Sequence, residues 1–227
     1  MESDAVTRVI LVRHGQTIWN DGARFQGHMD SPLTEGGVRQ VEALGERLTL
    51  ENVSAVYSSD LGRAMQTAEI IAGRTKHRVI SDTRLREQCL GIFEGLSKDE
   101  IPKRYPEEWK RYHSRDPEHV VPGGENPRGR FQLGLACLSE LALRHRGENI
   151  VVVTHGGLVQ GMFRHVVGVP FREARRFSIQ NAAYNVFLHH EEGWSVQTWG
   201  DVSHFREMAE NQVKLSGASE RMRGHTS

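Results

Sequence analysis

The chain has 227 residues, enough for one substantial α/β domain. Lys plus Arg equals Asp plus Glu at 29 each. No global field therefore marks the chain as a binder of nucleic acid or membrane surfaces, and any anion site must be local. The longest apolar runs, 9–12 and 150–153, fall far short of the roughly 20 residues that span a bilayer. Residues 1–8 lack the basic start and long apolar stretch of a signal peptide, so a cytoplasmic location is expected. Cys89 and Cys137 are the only cysteines and form no Cys-x-x-Cys pair, which predicts two reduced, buried thiols. The twelve histidines show no His-Glu-x-x-His spacing, and no metal site is expected.

In chain order, 9–12 is a short β-branched apolar run, the pattern of a strand covered on both faces, and it ends in Arg13-His14-Gly15. Thr34, followed by Gly36, Val38, Val41, Leu44 and Leu48, reads as an N-capped amphipathic helix. Residues 53–57 read as strand. Residues 61–72 read as helix with Ala64, Ala68, Ile71 and Ala72 inward, and Val79-Ile80 as a third strand. Residues 96–126 are charged, aromatic and then rich in Pro and Gly, and read as an excursion from the core. Asn126-Pro127 pairs a favoured N-cap with a favoured first helical residue and opens a helix through Leu133, Cys137 and Leu141. Residues 150–153 form a second buried strand ending in Thr154-His155-Gly156-Gly157, with helix over 158–167 and strands over 183–189 and 194–199. This alternation predicts an α/β fold of three layers: a mostly parallel central sheet, helices on both faces and a small helical lid. Residues 1–213 are read as one domain with the lid at about 96–126, and 214–227 as a polar tail.

Ligands of such sheets bind beyond the carboxyl ends of the strands, the edge that Arg13, His14 and His155 share. A cation and an imidazole beside a permissive glycine suit a phosphate, although Arg-His-Gly taken alone also fits a solvated turn. In Ser58-Ser59-Asp60-Leu61-Gly62-Arg63-Ala64-Met65-Gln66-Thr67-Ala68, Arg63 falls near a helix N-terminus, where free N–H groups and the dipole favour an anion. An exposed helix arginine is the plainer alternative. Leu85-Arg86-Glu87 puts a carboxylate after the third strand, and by itself it reads equally as a surface acid.

Taken together and in order, these blocks resemble the histidine phosphatase superfamily, also called the phosphoglycerate-mutase-like family. The resemblance runs from about residue 8 to 205. It includes Trp19-Asn20, Phe25-Gln26-Gly27, Pro32-Leu33-Thr34 with Gly37 and Gln40, and Pro122-Gly123-Gly124-Glu125. It implies a metal-independent and cofactor-free phosphomonoesterase acting on a small-molecule phosphate ester, with neither nucleic acid nor membrane as partner and a homodimer left open. By resemblance His14 is the nucleophile, Arg13, Arg63 and His155 clamp the equatorial oxygens, and Glu87 is proton donor and then base. Asn20, Gln26, Gly27 and Gly156 supply further phosphate contacts. Phosphoryl transfer is mainly positioning and charge neutralisation, which planar, always-charged guanidinium groups perform well. A histidine nucleophile must be neutral, with one ring nitrogen free and the other donating to a backbone carbonyl.

Mutases of the family follow the acid with Arg-His-Tyr-Gly and a longer insertion. Here Glu87 is followed by Gln88-Cys89-Leu90-Gly91-Ile92-Phe93-Glu94-Gly95, which resembles the phosphatase branch. Three other readings stand beside it: a phosphoglycerate mutase, a noncatalytic phospholigand-binding relative and a metallohydrolase. Asn126 stands where relatives commonly carry Ser, so pocket contacts there are expected to differ. The basic and aromatic residues of the lid either read a second anionic group or form a solvated face.

Overall fold

The computed structural model describes residues 5–205. In chain order it contains β1 (Thr7–Arg13), α1 (Ile18–Asp21), α2 (Glu35–Leu48), β2 (Val53–Ser58), α3 (Gly62–Thr75) and β3 (Val79–Ser81). After two 3-10 turns, Thr83–Leu85 and Gly91–Phe93, come α4 (Ile101–Arg104), α5 (Pro106–His113), α6 (Pro127–Arg144), β4 (Asn149–Thr154), α7 (Gly156–Val167), β5 (Tyr184–His190) and β6 (Gly193–Asp201).

Alternation in the central strands dictates the layers. Val9 and Leu11 of β1 face one side and Ile10 and Val12 the other, and all four are buried. Ile150 and Val152 of β4 share the first side, Val151 and Val153 the second. A strand buried on both faces needs a layer on each. α2 and α3 supply one, packing Val41, Leu44, Leu48, Ala64, Ala68 and Ile71 against Ile10 and Val12. The other cluster sets Phe131, Cys137, Leu138 and Leu141 of α6 and Leu158, Val159 and Met162 of α7 against Val9 and Leu11.

The sheet runs β3-β2-β4-β1-β5-β6, with the first four strands parallel and β5 and β6 antiparallel. The expected mostly parallel sheet is therefore present, and the last two strands close it as a hairpin turning at Glu191-Glu192. Among the described residues no helix is long and apolar enough to cross a membrane.

The local signals act as their chemistry requires. Thr34 Oγ1 accepts from Gly37 N at 2.9 Å, and Asn126 Oδ1 accepts from Gly129 N at 2.7 Å with Pro127 opening α6. The helix expected through Leu133, Cys137 and Leu141 is α6, whose buried stripe runs Phe131, Gly134, Cys137, Leu138 and Leu141 and leaves Leu133 exposed on the opposite side. One detail differs from the sequence reading. Cys137 is buried but Cys89 is only half-buried, since it sits in the loop after Glu87 rather than in a core layer. The expected tail at 214–227 lies outside the described residues.

The excursion at 96–126 carries α4 and α5 over the sheet edge and has its own small core. Phe93, Ile101 and Val121 are buried there, with Phe25, Tyr105, Trp109 and Tyr112 packed against them. Phe93 and Tyr112 meet edge to face, with ring centroids 5.7 Å apart.

The loop after β1 is pressed onto the start of α2. A Cβ on Gly37 would lie 2.1 Å from Gln16 O and 2.9 Å from Gln16 N, backbone atoms that cannot swing aside. On neighbouring Gly36 it would meet nothing closer than 3.7 Å. Gly37→Ala should therefore destabilise the protein by about 2 kcal/mol or more, the usual scale of overpacking, and lower activity by displacing the loop. Gly36→Ala should be neutral or slightly stabilising through helix propensity. Urea denaturation midpoints check this, and equal midpoints for the two variants would contradict it.

Candidate active site

The centre of the molecule is the carboxyl edge of β1 and β4. The two strands pair in parallel with Arg13 opposite Thr154, and His14 N donates to Thr154 O at 2.9 Å. The next residue on each strand is a histidine, and the two rings stand 5.3 Å apart. β1 leads to α2 on one face while β4 leads to α7 on the other, so a crevice opens between them, as at any such switch point.

His14 is 3% exposed. Its Nδ1–H donates to Gly15 O at 2.8 Å, which leaves Nε2 with a free lone pair. Burial first, then the charges of Arg13 and Arg63, hold the imidazole well below its ordinary titration point, against a smaller opposing effect of the Gly15 hydrogen bond. The loop is fixed from two sides. Gly15 N donates to Thr67 Oγ1 at 3.0 Å, and Thr67 donates onward to Arg63 O. Asn181 Nδ2 donates to His14 O at 2.8 Å and to Asn20 Oδ1 at 3.2 Å.

Arg63, in the first turn of α3, is 2% exposed, which disposes of the exposed-arginine alternative. Its Nη1 donates to Met29 O and to Asp30 Oδ1 at 3.0 Å, and its Nη2 donates to Gly27 O at 2.8 Å. Arg13 Nη1 donates to Ile179 O at 2.8 Å. Burial lowers the Arg13 guanidinium from its ordinary value, with Arg175 and Arg63 adding to this and Glu87 opposing it. The Nε atoms of both arginines are buried without a hydrogen-bond partner.

His155 is fully buried and caps the start of α7. Its Nε2 lies 2.8 Å from Ser59 Oγ, which also accepts from Leu61 N. The other ring nitrogen, Nδ1, is buried and unpartnered. Burial, then Arg63, His14 and Arg13, keep this ring neutral well below its ordinary titration point. Two buried N–H donors, Arg13 Nε and Arg63 Nε, and one ring nitrogen, His155 Nδ1, are thus left without partners, and Arg13, Arg63 and His155 belong to the group of charges and rings that acts on His14. Buried donors are costly unless met, and an anion with several oxygens can meet them.

Glu87 faces the same crevice from the loop after β3. Gly157 N donates to its Oε2 and Gln88 N to its Oε1, each at 3.0 Å, so the carboxylate sits at the positive end of α7. A Cβ on Gly157 would fall 2.2 Å from Oε1, which explains the second glycine of Thr154-His155-Gly156-Gly157. His28 Nε2 donates to Glu87 O at 2.8 Å.

The structure thus brings Arg13, His14, Arg63, Glu87 and His155 to one crevice. Asn20 sits in α1 and shares the Asn181 link, while Gln26 is buried with its Oε1 unpartnered. Gly27 acts through its carbonyl on Arg63, and its positive φ of 55° with Glu94 packed against it excludes other residues there. Gly156 opens α7 beside Arg13. Sequence reading gave no role to Ser59, Asp30, Thr67 or Asn181. Ser59 and Thr67 stood inside a quoted block, but nothing marked Asp30 or Asn181, whose partners lie 33 and 167 residues away. Among the described residues no three His, Cys, Asp or Glu side chains come together as metal ligands would.

The two neutral histidines couple stability to pH. Unfolded imidazoles bind a proton as pH falls through about 6.5, whereas these two stay neutral in the fold, so the unfolded state gains protons and stability falls. Below about pH 6.5 each should contribute a slope of about 1.4 kcal/mol per pH unit, until its folded titration point is reached. His14→Ala should remove one of these contributions, read as a shallower pH dependence of the urea unfolding free energy. An unchanged slope would contradict the neutral assignment.

Comparisons with known proteins identify the family and the fold. The sequence profile of the histidine phosphatase superfamily (branch 1) matches residues 9–202. The chain is 40% identical over 214 residues to phosphoglycerate mutase-like protein 4 of Arabidopsis thaliana, covering 92% of this chain and 91% of that one. It is 35% identical over 202 residues to a metal-independent phosphoserine phosphatase of the same plant, covering 88% and 83%. Among solved structures, a mycobacterial glucosyl-3-phosphoglycerate phosphatase complexed with VO3 superposes with a TM-score of 0.76 at 29% identity, covering 85% of this chain and 98% of that one. With a profile match over most of its length and relatives of this similarity, the chain belongs to the histidine phosphatase superfamily, branch 1.

Proposed function

We propose that this chain is a single-domain phosphomonoesterase that hydrolyses a small phosphate ester through a phosphohistidine on His14. The observation that carries the reading is the neutral, tautomer-fixed His14 beside the buried and unpartnered Nε–H donors of Arg13 and Arg63 and the unpartnered ring nitrogen of His155. In the first step the Nε2 lone pair attacks phosphorus and the ester P–O bond breaks. The equatorial oxygens lie against the guanidinium groups and His155 Nδ1, with Asn20, Gln26, Gly27 and Gly156 lining the same pocket. Glu87 gives its proton to the departing alkoxide. In the second step Glu87 takes a proton from water, the water oxygen attacks phosphorus, and the P–N bond breaks. Inorganic phosphate leaves and His14 is again neutral. Every charge change is met by groups already in place.

The names of the relatives, phosphoserine phosphatase and glucosyl-3-phosphoglycerate phosphatase, support a small phosphate ester as substrate. A mutase must hold the phosphoenzyme away from water while its substrate reorients, which asks for an occluding lid. Here the lid helices have four and eight residues and the 88–95 segment lacks the mutase pattern, which favours water as acceptor. Two free thiols suit a reducing, cytoplasmic setting.

His14→Ala should abolish turnover, a loss of at least about 10⁴-fold, with the fold retained. Acid-labile, base-stable phosphate should be trapped on the wild type and not on the variant. Labelling that persists in the variant would remove His14 from the nucleophile role. Glu87→Gln should slow release of an alkoxide far more than release of p-nitrophenolate, whose conjugate acid has a pKa of about 7 and hardly needs a proton. Single-turnover phosphorylation rates check this, and equal losses for both substrates would count against Glu87 as the acid.

A further inference from the structure

Two glycine-bearing blocks stand beside the loop that carries Glu87 and have no part in the chemistry above, Gly91-Ile92-Phe93-Glu94-Gly95 and Pro122-Gly123-Gly124-Glu125. They pack on each other so closely that a Cβ on Gly91, whose φ is +50°, would fall 2.1 Å from Pro122 O. Ile92 N donates to Pro122 O at 3.1 Å, and Glu125 N donates to Cys89 O at 3.0 Å. Each block ends by sending a carboxylate to the segment that follows Glu87.

Three successive backbone N–H groups of that segment each meet a different carboxylate. Gln88 N donates to Glu87 Oε1 at 3.0 Å, Cys89 N to Glu125 Oε2 at 2.8 Å and Leu90 N to Glu94 Oε1 at 2.8 Å. Glu87 is bound to its own loop by one oxygen, so the place of the loop decides where the acid stands. Glu94 has a second attachment. Its Oε1 also accepts from His28 N at 3.0 Å, and it fills the space beside the left-handed Gly27, where a Cβ would lie 2.0 Å from that oxygen. Gly27 O accepts from Arg63 Nη2, and the His28 ring donates through Nε2 to Glu87 O at 2.8 Å. One oxygen therefore joins the loop of the acid to the segment that meets the phosphate clamp.

We infer that Glu94 is a positioning residue for the acid: its Oε1 holds the Glu87 loop in register with the Gly27 and Arg63 side of the crevice, and it neither touches substrate nor moves a proton. The inference rests on the phosphatase reading above, with Glu87 as the acid. Arg63 does not depend on this link, because Met29 O and Asp30 Oδ1 hold its guanidinium as well. Apart from its own loop, the Glu87 carboxylate is held through Gly157 N. Loss of the Glu94 contacts should therefore displace the acid and spare the clamp. A misplacement of about 1 Å costs a proton donor on the order of 10²-fold, whereas a leaving group that needs no proton loses little.

The test reads single-turnover phosphorylation by p-nitrophenyl phosphate and by the fastest of phosphoserine, 3-phosphoglycerate and glycerol 3-phosphate as alkyl ester. Glu94→Asp draws the oxygen back by one methylene and should lower the alkyl rate by about 30- to 100-fold and the aryl rate by no more than about 3-fold. Glu94→Gln keeps an accepting oxygen without its charge and should lower the alkyl rate by about 3- to 10-fold with the aryl rate held. This second variant carries the test alone if Glu94→Asp does not fold. In a Glu87→Gln background neither change should slow the alkyl ester further, since the group that Glu94 positions is already lost. Alkyl and aryl rates that fall together, or alkyl losses that multiply in the double variants, would reveal a general structural role and overturn the proposal. An unchanged alkyl rate in Glu94→Gln would overturn it as well. A wild type phosphorylated by the aryl ester alone would overturn Glu87 as the acid and the proposal with it, and no phosphorylation by any ester would overturn the phosphatase reading and both of these.

Discussion

The parallel pairing of β1 with β4 sets the geometry on which the rest depends. Because Arg13 lies opposite Thr154, each strand delivers a histidine at its next residue, and the His14 N to Thr154 O bond locks that register. A slip of one residue would turn every side chain of β1 to the other face, burying Arg8 and Arg13 in place of Val9 or Val12. The apolar alternation that holds the sheet between its two helical layers therefore also holds two imidazole rings 5.3 Å apart. Stability of the core and alignment of the reacting groups are one requirement here.

The crevice formed this way collects positive charge, and its electrostatics explain the supporting residues. A buried guanidinium loses several kcal/mol of hydration unless its donors are met. Arg63 meets this with Asp30 and two backbone carbonyls, and Arg13 with Ile179 O, yet each keeps Nε unsatisfied. Burial first, and then this field, hold His14 and His155 neutral. Gly15 O then sets which ring nitrogen of His14 carries the proton and leaves Nε2 with its lone pair. Nothing in this arrangement has to reorganise when charge develops on phosphorus.

The lid is packed apart from this crevice. The lid packs around its own cluster of Phe93, Ile101 and Val121, joined to the body through Phe25 and the loop after Glu87. Glu94 links the two parts, since its Oε1 accepts from both His28 N and Leu90 N. The acid is thereby tied to the sheet edge on one side and the lid on the other.

The elements and the reacting residues were legible in the sequence because each depends on local pattern. Two β-branched runs, a Thr cap and an Asn-Pro start marked the strands and helices, and Arg13, His14, Arg63, Glu87 and His155 stood in short blocks whose order carried the family resemblance. Cys89 was misplaced because a single apolar residue in a loop does not say whether it joins a core layer. The antiparallel pairing of β5 with β1, the Asp30 link to Arg63 and the Asn181 link to His14 needed the tertiary structure. Those contacts join segments far apart in the chain, and no periodicity or local spacing encodes a distance that only packing creates. What the sequence marked by itself was the short blocks that carry Arg13, His14, Arg63, Glu87 and His155; the fold decided which of their hydrogen-bonding atoms are satisfied and which are left unpartnered.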